Sequence, residues 1–343
     1  MARDPHFRSE MPIGLLHFKL KTSTVPPGVS GYHTALVHYE SMSSERSVKV
    51  IINAHSGFGD KADVRRRLME IFAAGGIDSE VLLAGSGAEV AAMAKNSAQE
   101  DWSVVMAGGG DGTINTVASH LVGSEKILGV LPLGTLNHFA KDLRIPLDLE
   151  GAAETVISGH AASVDVGEVD GRIFLNNSSL GLYPTIVRER EKNQRLGSGK
   201  WPAFLWAAVS AFRRYPFLHV RLVASGKKFD LRTPFVFVGN NEYIMERLNI
   251  GGRAHLNQGL LSLYVTNRTG RWGLVRLAVR ALLGRLREEK DFLALLSGEV
   301  KIETKHRHLR VAFDGEVDLM PTPLHYRNRP GALRVMVPGS EDK

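Results

Sequence analysis

From Ser47 to Leu131 short β-branched runs alternate with segments of helical period, and this alternation restricts the fold more than any other feature of the chain. Val48-Lys49-Val50-Ile51-Ile52 reads as a strand, followed by a helix that opens near Asp60 as N-cap and closes at Gly75-Gly76. The cycle repeats with a strand from Ser79 to Leu83 and a helix from about Gly87 to Ser97. A strand Trp102 to Met106, a helix starting at Thr113 and a strand Ile127 to Leu131 follow. Strands that alternate with helices build a parallel sheet covered by those helices, and such sheets bind ligands beyond the carboxyl ends of their strands. The site is therefore expected in the loops that leave those strands.

After about Ser163 the pattern changes to short alternating strands: Ile173 to Leu175, His219 to Val223, Phe235 to Val238, Leu261 to Val265, Val300 to Glu303 and Leu309 to Phe313. A mostly antiparallel second domain is expected, with helical interruptions near Trp201 to Arg214 and near Trp272 to Leu296. The last strand, Leu333 to Val337, is expected to return to the first domain. The chain then divides into an extension (1–45, with Met42 as an alternative natural start), an α/β domain (46–165), a β-rich domain (166–328) and a returning strand with tail (329–343). A length of 343 residues suits two such cores.

Three loops at the expected sheet edge carry chemistry. The strongest is Ala107-Gly108-Gly109-Gly110-Asp111-Gly112-Thr113, where glycines admit phosphate oxygens to backbone N–H groups and a helix N-terminus adds partial positive charge. Asp111 would repel a polyphosphate unless a divalent cation intervened, which points to Mg²⁺ held by Asp111 directly or through water. The bland alternative is a tight strand-to-helix turn. Asn53-Ala54-His55-Ser56-Gly57-Phe58-Gly59 and Leu131-Pro132-Leu133-Gly134-Thr135-Leu136-Asn137 leave two further strands, so Asn53, Ser56, Gly57, Gly134, Thr135 and Asn137 join Gly108 to Thr113 as candidate nucleotide-binding residues. None of the three fits G-x-x-x-x-G-K-[ST] or G-x-G-x-x-G, so the two commonest nucleotide folds are disfavoured. Absence of cysteine excludes disulfides, thiolate zinc sites and cysteine nucleophiles.

Near the other end, Phe313-Asp314-Gly315-Glu316-Val317 reads as a hairpin with Asp314-Gly315 in its turn. A carboxylate on a rigid hairpin facing the nucleotide loops can take the proton of an attacking hydroxyl. Glu316 is the expected base, with Asp314 and Asp111 as the accompanying catalytic carboxylates.

Together these segments resemble the diacylglycerol kinase catalytic family of soluble bacterial lipid kinases, to which sphingosine and ceramide kinases are related. Gly109-Gly110-Asp111-Gly112-Thr113 is similar to the family's nucleotide loop, which NAD kinases and phosphofructokinases share. Leu131 to Asn137 followed by Phe139-Ala140 discriminates better, and Phe174-Leu175-Asn176-Asn177 with Gly181 and Asp314-Gly315-Glu316 complete the order. The resemblance spans Ser47 to Pro338. It implies an α/β nucleotide domain joined to a β-sandwich, with ATP and Mg²⁺ between them, a lipid hydroxyl as acceptor and Glu316 as proton acceptor. Three positions depart from the family pattern: Ala54 replaces a proline, His138 an aspartate, and Asn257-Gln258-Gly259-Leu260 lacks the acidic residue that many relatives use at a structural Mg²⁺. Ala84 stands where relatives often carry a nucleotide-contacting threonine.

The sequence has no uninterrupted apolar stretch of about 18 residues and no secretory signal pattern, so a cytoplasmic protein that docks reversibly on a membrane surface is expected. Trp201 to Trp206 with Arg213-Arg214, and Arg271 to Arg287, mix aromatics, leucines and arginines as an interfacial segment would, although any docked amphipathic helix needs the same face. A net charge of +7 favours anionic partners. Nucleic acid is not among those expected, because no nucleic-acid-binding motif is present. A homodimer is compatible with this reading. Two alternatives stay open: a kinase of a soluble acceptor such as NAD, and a catalytically weak nucleotide-binding regulator at the membrane.

Overall fold

The structure is a computed structural model and describes residues 46–57, 59–181, 217–244, 252–266 and 292–339. The expected extension (1–45), the expected helix near Trp201 to Arg214 and the segment Arg271 to Arg287 lie outside the described residues.

Four parallel strands form the first layer: β1 (Ser47–Asn53), β2 (Asp78–Ala84), β3 (Val104–Gly109) and β4 (Ile127–Pro132), in the order β2-β1-β3-β4. The inner strands are largely apolar because helices cover both faces; β3 is buried along its whole length, and Lys49 of β1 is paired with Glu80 and Glu100. Helices α1 (Lys61–Ala74), α2 (Gly87–Ser97), α3 (Asp111–Leu121) and α5 (Leu149–Ser158) supply that cover, and a single short helix, α4 (His138–Asp142), follows β4. Local chemistry sets their starts. Asp60 accepts the Ala62 N–H at the head of α1, Ser86 accepts from Glu89 N at the head of α2, and Asp148 accepts from Gly151 N at the head of α5.

Both ends of the third strand and the start of the helix after it differ from the sequence reading. The third strand does not begin at Trp102, because Ser47 and Ser103 exchange side-chain hydrogen bonds with each other's backbone there. Instead it continues through Ala107, Gly108 and Gly109, and α3 starts at Asp111 rather than Thr113.

The chain then enters β5 (His160–Val169), which runs through the expected boundary at 165/166. It pairs antiparallel with β16 (Leu324–Val337), the strand that also lies parallel to β4. β16 is thus the return of the C-terminal strand. It carries on through β13 (Glu299–Thr304), β8 (Leu218–Ala224) and β9 (Lys227–Thr233) into the antiparallel end of one ten-stranded sheet, while β6 (Arg172–Phe174) pairs with β5. A second, wholly antiparallel sheet has the order β12-β11-β10-β7-β14-β15, made of β7 (Asn177–Gly181), β10 (Phe235–Asn240), β11 (Leu261–Thr266), β12 (Phe292–Ser297), β14 (His308–Phe313) and β15 (Glu316–Pro321).

Two hydrophobic cores result, one under the parallel strands and one inside the sandwich. β5 and β16 contribute to both: Val164, Leu333 and Val335 pack in the first, Val169, Leu324 and Tyr326 in the second. The register of β16 shifts between Arg329 and Leu333. Pro330 has no N–H to offer the ladder there, and Gly331, at a φ of 58°, donates instead to Asp165 Oδ1.

The expected helix from Trp272 to Leu296 is wrong at its end, since Phe292–Ser297 is strand β12. A short apolar run fits either period, and here period two wins: Leu293 and Leu295 pack on the sandwich core while Leu296 is exposed.

Candidate active site

The three loops meet at the carboxyl ends of β1, β3 and β4. Gly57 sits at a φ of 67°, and a methyl group on it would lie 2.2 Å from the Leu133 carbonyl oxygen, so the first loop packs directly on the third. Asn53 tightens its own turn by accepting the His55 N–H and ties the first loop to the second by donating to Thr113 Oγ1 at 3.2 Å. The second and third loops touch backbone to backbone. A methyl group on Gly134 would fall 2.5 Å from Gly110 Cα and 2.7 Å from Asn137 Oδ1.

Two expected nucleotide-binding residues have other duties. Gly108 lies inside β3, buried, where a side chain would meet Ile52 at 2.9 Å; it lets the sheet pack and is not placed at the ligand edge. Asn137, at a φ of 49°, accepts from Gly134 N and donates to the Pro132 and Gly134 carbonyls, so its amide shapes the third loop from within. Thr135 is exposed at the rim and Ser56 half-buried in the first turn, whose Asn53 carbonyl accepts the Ser56 N–H.

Helix α3 starts differently from α1, α2 and α5. Its N-cap is Gly110, which has no side chain to accept a bond, so the first-turn amides of Asp111, Gly112 and Thr113 meet the loop edge without a capping side chain. Such an end attracts anionic oxygen. Asp111 opens the helix but turns its carboxylate sideways. Oδ2 accepts His138 N at 3.3 Å, Oδ1 accepts Phe139 N at 3.2 Å, and Asn176 Nδ2 approaches Oδ1 at 3.5 Å. Asp111 therefore caps α4 from another loop, and His138 contributes its backbone N–H to that cap.

Opposite stands the hairpin of β14 and β15. Asp314 and Gly315 have φ of 47° and 90°, the left-handed pair that a two-residue turn requires, and Phe313 faces Glu316 across it. The Asp314 carboxylate points inward, accepting the N–H groups of Leu175 at 2.6 Å, Asn176 at 2.9 Å and Asn177 at 3.1 Å. Burial pushes its pKa up to about 6, against the pull of those amides and of the Arg253 charge. With both oxygens engaged by backbone amides, Asp314 ties the hairpin to the Leu175 to Asn177 turn, a positioning duty in place of the expected direct part in the chemistry. Glu316 is exposed and lies on the other side of the turn. A methyl group on Gly112 would stand 3.3 Å from Glu316 Oε1, so the hairpin carboxylate and the open end of α3 share one site.

Arg253, Asp142 and Tyr243 escaped the sequence reading. Buried Arg253 pairs with Asp142 at 2.7 Å and donates to Leu175 O, Asn240 O and Asn176 Oδ1, beneath the turn that holds Asp314. Tyr243 lies under the guanidinium, and burial raises its pKa to about 12. An isolated arginine in a Gly-Gly-Arg-Ala stretch carries no local signal, and its partner is 111 residues away.

Among the described residues no group of three His, Cys, Asp or Glu side chains is placed to hold a metal ion. Asp111 retains acceptor capacity on both oxygens beyond the bonds given above, which fits a cation that arrives with phosphate oxygens and keeps its water, as Mg²⁺ does. The loop Asn257-Gln258-Gly259-Leu260 brings no carboxylate, and its Leu260 carbonyl already accepts from Asn241 N and Asn328 Nδ2. Its backbone is held by protein: Gln258 N donates to Asn241 Oδ1 and Gly259 N to Asp165 Oδ2.

Residues 47–169 match the diacylglycerol kinase catalytic domain, and residues 183–337 match the YegS C-terminal NAD kinase beta sandwich-like domain. The chain belongs to the diacylglycerol kinase catalytic-domain family. It is 25% identical over 274 residues to a diacylglycerol kinase of Bacillus subtilis (strain 168), covering 79% of this chain and 90% of that one. Against a diacylglycerol kinase of Staphylococcus carnosus (strain TM300) it is 24% identical over 228 residues, 65% of this chain and 73% of the other. The crystal structure of a diacylglycerol kinase from Bacillus anthracis str. Sterne shares the fold, with a TM-score of 0.65 at 20% identity over 86% of this chain and 98% of that chain. Both the α/β sheet and the antiparallel sandwich are thus those of the family, and the chain is a kinase.

Close contact between Gly110 and Gly134 yields a first prediction for this family member. In Gly134→Ala the added methyl meets backbone at 2.5 Å, which cannot swing aside as a flexible side chain would. Separating the two loops is expected to lower stability by about 1–3 kcal/mol and to raise the dissociation constant for ATP about tenfold or more. Calorimetric titration with ATP alongside urea unfolding measures both.

Proposed function

We propose that the protein is an ATP- and Mg²⁺-dependent lipid kinase that transfers the γ-phosphoryl group to a lipid hydroxyl of diacylglycerol type. The single observation that carries this reading is the position of the Glu316 carboxylate against Gly112, at the open end of α3. In this reading residues 46–165 hold the nucleotide and 166–328 present the lipid. The N-terminal amides of α3 and the three glycine-bearing loops hold the phosphates, with Asp111 contributing to the cation through water. Mg²⁺, when bound with the nucleotide, would neutralise charge that develops on the transferred group.

Glu316 takes the proton of the lipid hydroxyl as its oxygen bonds to the γ-phosphorus, and the bond from that phosphorus to the bridging oxygen breaks to release ADP. Carboxylate and helix end are fixed on separate elements, so the acceptor oxygen has to enter between them. No helix among the described residues is long and apolar enough to cross a membrane. In this reading the lipid is met at a membrane surface.

The test incubates purified protein with radiolabelled ATP, Mg²⁺ and mixed micelles of total lipid extract, followed by identification of the labelled lipid. Label in a hydroxyl-bearing glycerolipid or sphingoid base is the expected result. Label in a water-soluble acceptor without any lipid product, or ATP binding without transfer to any acceptor, overturns the lipid reading.

A further inference from the structure

Beneath the site a ring of polar contacts closes through residues far apart in the chain. Arg253 Nε donates to Asp142 Oδ2 at 2.7 Å and its backbone N–H to Asp142 Oδ1 at 3.2 Å. Asp142 is the last residue of α4, the helix whose first amides are held by Asp111. The other end of the guanidinium donates to Leu175 O at 2.6 Å and to Asn176 Oδ1 at 2.8 Å. With its oxygen held by Arg253, the Asn176 amide turns its nitrogen toward Asp111 Oδ1. Backbone amides of the same turn hold Asp314, two residues before Glu316.

We infer that Arg253 is the positioning residue that couples the nucleotide side of this site, through Asp142 and α4, to the turn and hairpin that carry Glu316. The catalytic part of this inference rests on the kinase reading, whereas the coupling itself does not. Arg253 is 5% exposed, and all three of its guanidinium nitrogens have protein partners. Only a planar fork of donors meets a carboxylate, two carbonyls and an amide oxygen at once. Lysine would keep the charge and one or two of those bonds, so the substitution is not conservative here. The pair is also more than a stabilising contact by placement, because Asp142 sits on the element that follows the third nucleotide loop while Leu175 and Asn176 precede the strand that leads into the sandwich.

The experiment compares the full-length wild type with Arg253→Lys by amide hydrogen exchange and by steady-state kinetics. Exchange at His138 and Phe139 and at Leu175 to Asn177 is expected to quicken roughly tenfold or more in the variant, with Val48 to Ile52 unchanged. Loosening of the Leu175 to Asn177 turn alone, or of neither segment, overturns the coupling. Kinetically, kcat for the lipid is expected to fall roughly 10- to 100-fold with KM for ATP nearly unchanged, the sign of displaced groups and not of lost nucleotide binding. A fall in activity that only tracks the unfolded fraction overturns the positioning role.

The pH profile supplies a third readout. Lysine keeps the positive charge that favours the ionised form of Asp314, with Asp142 and Tyr243 the other titratable groups around it, so the acid limb of the variant is expected to stay near that of the wild type while kcat falls. Should Arg253→Lys fail to fold, Asn176→Ala replaces it. That variant keeps the Arg253 pair with Asp142 and cuts the link to Asp111, and the same faster exchange at His138 and Phe139 is expected; unchanged exchange there overturns the inference. If the wild type transfers phosphate to no lipid, the function proposed above fails while exchange still decides the coupling.

Discussion

Glu316→Gln is expected to lower kcat for lipid phosphorylation by roughly 10²- to 10⁴-fold, the range of a positioned general base, with KM for ATP almost unaltered. Glutamine keeps the length and shape of the side chain and one carbonyl oxygen against Gly112, but it cannot accept the hydroxyl proton. Glu316 is exposed, so the melting temperature should stay within the narrow range of surface substitutions. Nucleotide binding should persist because the loops that meet around Gly110 and Gly134 belong to other elements. Steady-state kinetics with saturating lipid, alongside calorimetric ATP titration, separates these effects. Full turnover by the variant removes Glu316 from the reaction.

Much of the scaffold was legible because the features that fix it are local. Asp60 and Gly75 delimit α1 where the sequence placed them, and β1, β2 and β4 follow their β-branched runs. The Asp314-Gly315 turn was readable for the same reason, since few residues tolerate the left-handed pair of φ values that the hairpin needs. Residues around the glycines were harder. Nothing local distinguishes a glycine that admits a phosphate from one that admits a neighbouring strand, so Gly108 was placed at the ligand and belongs to the sheet.

The site's deeper layer was not legible at all. Asp314 looks identical in sequence whether its carboxylate faces the ligand or three backbone amides 137 to 139 residues away. Asn137 likewise reads as a donor until its amide is seen folded back on Pro132 and Gly134. The pairing of Arg253 with Asp142 depends on the sandwich docking beside α4, a tertiary fact with no short-range trace. What failed in each case was the assumption that a polar side chain in a loop serves the ligand, when buried backbone amides and carbonyls also require partners.

Asp314→Ala follows from that requirement and carries the largest expected loss of stability. Removing the carboxylate leaves the N–H groups of Leu175, Asn176 and Asn177 without their acceptor, and each such group costs about 1–3 kcal/mol when it stays dry. Water entering the gap recovers part of this, so a net loss of about 3 kcal/mol is expected by urea unfolding. Turnover should fall as well, because the turn no longer fixes Glu316 against Gly112. Asp314→Asn separates charge from shape. In the wild type burial holds the Asp314 pKa near 6, above its ordinary value of 3.8. The folded state therefore binds that proton more tightly than the unfolded state. This group's contribution to stability is fully present below pH 3.8 and is lost as pH rises through about 6. Activity should run the other way, rising with pH through about 6 as the ionised carboxylate becomes able to accept all three amides. Asparagine has no proton to lose, so the share of each slope that Asp314 contributes should vanish in that variant. A wild-type and an asparagine profile of the same shape between pH 4 and pH 7 would mean that Asp314 stays ionised throughout, with its amides outweighing its burial.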